Sequence, residues 1–164
     1  MTLLPRVIEL TRERLAREFD DIGPCALSAQ AATLLDAENP ELLDIARRCA
    51  RDTGEADEVM VGFGAFYRLL ILEARTISTH PAFAALPKVS PESRDALVHQ
   101  IDAKGPERFT AEALDHMHQH NPELLQMAHN FASRFSTYPE VMQGFCLIYK
   151  ALVIQSVADR RSLH

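Results

Sequence analysis

Residues 120–128 read HNPELLQMA, and residues 38–46 read ENPELLDIA. In both stretches an asparagine (Asn39, Asn121) precedes a proline (Pro40, Pro122), the order expected of an N-cap followed by the first helical position. Glu41 and Glu123 come next, in the first turn, where a carboxylate is favoured by the helix dipole. The same helix start is thus written twice, 82 residues apart (121 minus 39). At that offset residues 4–74 align with 86–156 without a gap and share 24 identities in 71 positions, whereas an ordinary composition gives roughly five by chance. Leu4-Pro5 meets Leu86-Pro87, Gly23-Pro24 meets Gly105-Pro106, and EVMVGF (58–63) meets EVMQGF (140–145). The copies fill the chain as residues 1–82 and 83–164 of a tandem duplication, and such repeats dictate a fold.

Each copy reads as four helices. Pro5 opens the first, which Gly23-Pro24 closes near Asp21. Ser28 is expected to cap the second, through Glu38, and Asn39 the third, with Leu42, Leu43, Ile45, Ala46, Cys49 and Ala50 on one face and Gly54 at its end. The fourth runs from about Ala56 to Thr79, before Pro81. In the second copy Ser90-Pro91, Thr110, Asn121 and Tyr138-Pro139 mark the corresponding starts. Residues 59–72 are apolar except Arg68, and 141–154 except Gln143 and Lys150. A helix apolar on all sides must be buried. Gly62 and Gly144 lie at matching points inside these last helices, where glycine costs about 1 kcal/mol relative to alanine; close approach of the two helix backbones is the expected reason. The predicted fold is an all-α, internally duplicated bundle, about four helices per repeat, pseudo-two-fold, with both repeats sharing one core as a single domain.

Composition narrows the function. Hydrophobic residues make up 47% and charged residues 24% of the chain, a globular balance. A net charge of −6 argues against a nucleic-acid partner bound through its phosphates. Cys25, Cys49 and Cys146 have no metal-binding spacing and read as free thiols of a reducing, cytoplasmic setting. The apolar runs at 59–67 and 69–72 are interrupted by Arg68 and fall short of the roughly 20 residues that cross a bilayer, so no membrane association is expected.

Candidate site residues are few. Tyr67-Arg68 and Tyr149-Lys150 put a cation in the middle of the most apolar helix of each half. Such a cation either reaches solvent or pairs with a carboxylate such as Glu58 or Glu73. Alternatively it faces a shared cleft and holds an anionic ligand or a partner's acidic side chain. Six of the seven histidines lie in the second copy, and His116 and His120, at i and i+4, share the face that can hold one metal ion. Glu112 lies one turn before them and His129 is on the next helix; the competing reading is a solvated histidine-rich helix end. There is no GxSxG, P-loop, GxGxxG or HExxH motif. The expectation is therefore a non-enzymatic helical protein that binds another protein, as a regulator or adaptor, with no cofactor; homo-oligomerisation is compatible with it. The alternative is a ligand-binding bundle that holds a small anionic or hydrophobic molecule, or a metal ion, between the repeats.

Overall fold

The structure, a computed structural model, describes residues 9–53, 56–77 and 86–162. Among them are eight helices and no strand: α1 (Glu9–Ile22), α2 (Pro24–Glu38), α3 (Pro40–Thr53), α4 (Ala56–Ile77), α5 (Pro91–Lys104), α6 (Pro106–His120), α7 (Pro122–Ala132) and α8 (Tyr138–Ser162). The expected helix start at Pro5, the stop at Gly54 and the end near Thr79 lie outside the described residues.

The helix junctions differ from expectation in how they are capped. α2 and α6 begin at Pro24 and Pro106, four residues before Ser28 and Thr110, so those hydroxyls cap nothing. Gly23 (φ 84°) and Gly105 (φ 87°) turn the chain in a single left-handed residue. The Gly23 amide donates to Phe19 C=O (2.9 Å) and its own carbonyl accepts from Leu27 (3.1 Å), so one residue ends α1 and starts α2. Proline follows at a position whose N–H would have no partner anyway. Ser28 Oγ donates instead to the Met60 carbonyl of α4 at 3.3 Å. The asparagines stand immediately before α3 and α7 as expected, and only the capping by their side chains is corrected. Asn121 makes no side-chain cap hydrogen bond. The buried Asn39 donates through Nδ2 to Pro87 C=O (2.9 Å) and accepts through Oδ1 from the Val89 amide (2.8 Å). It fastens the segment ahead of α5 onto the start of α3. Ser90 does cap α5, accepting from the Ser93 amide.

α4 and α8 form the centre. Phe63, Phe66, Tyr67 and Leu70 of α4, with Phe145, Ile148, Tyr149 and Leu152 of α8, are all at most 2% exposed. The glycines between them are explained by rings rather than by backbone contact. A Cβ on Gly144 would lie 2.3 Å from Phe63 Cζ, and one on Gly62 would lie 3.0 Å from Phe145 Cζ. Each glycine is a socket for the other helix's phenyl group, and the two rings meet edge-on at 6.3 Å. Backbones do approach at Gly64, where a Cβ would be 3.1 Å from Ser28 Cα on α2.

The outer helices cross between the halves. α3 packs on α8 and α5, joined by the Arg94–Glu41 ion pair. α1 reaches α7 through Arg12–Glu123 (2.8 Å) and through the Phe19 and Phe131 rings, edge-on at 5.2 Å. The buried apolar side chains of residues 15–153 form one hydrophobic cluster. α8 is long and apolar enough to cross a membrane by length and composition, yet 67% of its most apolar stretch is buried inside the fold.

Candidate functional site

The Tyr-cation pairs go to different surroundings. On α4, Tyr67 is buried and Arg68 pairs with Glu18 of α1 at 2.9 Å, not with Glu58 or Glu73. On α8, the Tyr149 hydroxyl lies 2.9 Å from His116 Nδ1 on α6. Burial holds the Tyr149 phenol up to about 12, so it stays protonated. His116 is held below the usual imidazole range, first by desolvation and then by repulsion from His120 and Lys150. A phenol and an imidazole, both neutral near pH 7, thus share one contact between α6 and α8. Lys150 is itself lowered by burial, with repulsion from Lys104 adding to the effect and attraction from Glu112 opposing it.

His116 and His120 do come together, with ring centroids 4.4 Å apart. The carboxylate one turn earlier is engaged: Glu112 takes Lys104 and Arg108, which hold it below the usual carboxylate range, the Lys104 hydrogen bond being the larger cause. His129 is held by the Tyr138 hydroxyl. Among the described residues there is no group of three or more His, Cys, Asp or Glu side chains that could hold a metal ion. The cluster is therefore two imidazoles, a phenol and a lysine, with Glu112 shared by two other cations.

A site that the motifs do not mark lies where the halves meet. α3, α5 and α8 line a half-open cavity of about 250 Å³. Ile45 and Cys49 of α3, Leu97, Val98 and Ile101 of α5, and Leu147 of α8 supply its apolar lining. These come from the helix faces that the crossed packing of α3 on α5 and α8 brings together. Arg48, Arg94, Glu140 and Gln143 also border it. Arg94 is engaged by Glu41, Asp44 and Asp95, and Arg48 by Asp44. None of Tyr67, Arg68, Tyr149 or Lys150 lines this cavity. In the sequence it leaves one trace, a difference in size between aligned positions: Phe19 and Phe131 stand opposite Ile101 and Cys49. No protein family, curated protein or solved structure matches the chain.

Proposed function

We propose that the protein is an internally duplicated, pseudo-two-fold bundle that binds a small apolar molecule between its two halves. The half-open cavity between α3, α5 and α8 carries this reading. An apolar recess with a few polar groups at its border is the usual form of a small-molecule site, and 250 Å³ lies just under the common range of about 300–1,000 Å³. The duplication is supported by element bounds that repeat at the 82-residue offset, α1 with α5 at their ends (Ile22, Lys104) and α2 with α6 at both ends. It is supported too by reciprocal pairs: Arg12–Glu123 with Arg94–Glu41, and Phe63 on Gly144 with Phe145 on Gly62. Two buried thiols and one exposed thiol, none joined in a disulfide, favour a reducing, cytoplasmic setting.

Binding of another protein through an apolar face would show as a broad exposed apolar patch. The large apolar side chains exposed among the described residues are Leu10 and Ile22 on α1 and Val98 on α5, and single exposed side chains of this kind are ordinary. The small-molecule reading is therefore placed first. Its test is native mass spectrometry of the protein purified from cells, beside a thermal-shift screen of small uncharged apolar compounds. A co-purified small molecule, or stabilisation that saturates, is expected. A protein that carries nothing and that no apolar compound stabilises would overturn it.

A further inference from the structure

On the ligand-binding reading, we propose that the occupant of the α3–α5–α8 cavity presents a single uncharged aromatic ring, seated against Cys49 and Ile101. The corresponding junction at the 82-residue offset, α1 on α7, supplies the argument. At the 82-residue offset the cavity positions Ile101 and Cys49 correspond to Phe19 and Phe131. At that second junction between the halves α1 meets α7 through these two phenyl rings, packed edge-to-face at 5.2 Å and 75°. The equivalent meeting of α5 with α3 has an isoleucine and a cysteine instead, and there the cavity opens. The floor is conserved in kind, with Leu97 in the place of Leu15. Two walls are larger: Val98 stands for Ala16 and Leu147 for Ala65. One of the two junctions is therefore filled by a pair of rings between low walls, while the other has raised walls and an empty centre.

The size and chemistry of the space agree with a ring. A dry apolar cavity of about 150 Å³ is enough to take benzene, so 250 Å³ admits one ring with a short substituent. The Cys49 sulfur is suited to the edge of an aromatic ring. An anionic ligand is disfavoured, because both bordering arginines already have carboxylate partners and Glu140 adds a further carboxylate. Burying a charge there would leave it without an uncommitted counter-ion.

Isothermal titration of the full chain with p-cresol, 1-hexanol and benzoate tests the assignment. p-Cresol is expected to bind with one-to-one stoichiometry, at least tenfold more tightly than either of the others. The variant C49F/I101F, which installs the phenyl pair of the α1–α7 junction, should lose at least tenfold in p-cresol affinity while keeping its helical signal. If that variant does not fold, I101F alone must show the loss. Tighter binding of 1-hexanol or of benzoate would overturn the aromatic or the uncharged assignment and leave small-molecule binding intact. Undiminished p-cresol binding in the filled variant would overturn the location. Binding of none of the three would overturn the ring assignment, and if broader apolar screening also fails, the small-molecule reading falls with it.

Discussion

Gly144→Ala adds one methyl group at the point where Phe63 enters α8. The new Cβ would stand 2.3 Å from Phe63 Cζ and 2.4 Å from Cε1, with Cys49 Sγ at 3.4 Å. Carbon atoms rest about 3.5–4.0 Å apart, so the ring must retreat by more than 1 Å. Phe63 is fully buried and already in edge contact with Phe145, which leaves it little room to move. Overpacking of this kind costs about 1–3 kcal/mol, and the severity of the contact puts it at the upper end. Alanine returns about 1 kcal/mol in helix propensity. The net loss is therefore about 2 kcal/mol, or a melting temperature lower by about 4–8 °C for a chain of this size. Gly62→Ala is the control. Its Cβ would meet Phe145 at 3.0 and 3.2 Å and Val141 at 3.3 Å. A shift of a few tenths of an ångström relieves that, and the propensity gain brings the net change to within about 1 kcal/mol of zero. Thermal and urea unfolding followed by far-UV circular dichroism measures both. Adding Phe63→Leu to Gly144→Ala should recover stability relative to the sum of the single changes, with a coupling of at least about 1 kcal/mol. A Gly144→Ala protein as stable as wild type, or one less affected than Gly62→Ala, would refute the socket geometry.

Other expectations follow from particular contacts. Asn39→Asp should cost about 2 kcal/mol in urea unfolding, because a carboxylate would replace the amide that donates to Pro87 C=O; if Asn39 acted only as a helix cap, Asp would serve equally well. Stability should fall with acid below about pH 6.5: the folded state holds His116 below its unfolded value, so the unfolded chain binds more protons and unfolding is favoured as pH drops through that window. His116→Gln should flatten this part of the stability profile, and an unchanged slope would remove His116 as its source. Zn²⁺ should bind weakly and equally to wild type and His120→Leu in calorimetric titration, since Glu112 is committed to Lys104 and Arg108; a single tight site lost in the variant would make His116 and His120 metal ligands. Residues 1–82 expressed alone should self-associate or lack a cooperative transition, because α3 is covered by α5 and α8; a monomeric, cooperatively folding half would count against this.

The all-α character was legible because its signals are local. Proline junctions and 3.6-residue periodicity act within a few residues of chain, and they locate the starts of α3, α5, α7 and α8 to within a residue, whereas Gly23-Pro24 and Gly105-Pro106 read only as stops although they also start α2 and α6. Ser28 and Thr110 do not cap because α2 and α6 start four residues before them, and Thr110 bonds back to Pro106 C=O; Ser28 and Asn39 also find partners far along the chain. Which hydrogen bond a polar side chain makes depends on what lies across from it, and the partners of Ser28 and Asn39 are 32 and 48 residues away. The partner of Arg68 was missed likewise: Glu18 is 50 residues distant, on α1. The periodicity that marks an apolar face does not say which ring will sit on it, so Gly62 and Gly144 read as places where backbones touch. A cavity is legible least of all, since it depends on the sizes of side chains from three helices meeting at one point.

The crossed attachment of the second half onto the first also governs the order in which the chain can be made. Glu41 waits for Arg94, and Asn39 waits for Val89. Ribosomes add roughly 5–20 residues per second, so some three to ten seconds separate the synthesis of α3 from that of the segment that clasps it. Throughout that interval the Ile45–Cys49 side of α3 has neither α5 nor α8 to cover it. The newborn first half therefore carries an uncovered apolar helix face, and its final packing is post-poned to the arrival of the second. Chaperone demand during translation should be set by this delay rather than by the stability of the finished bundle.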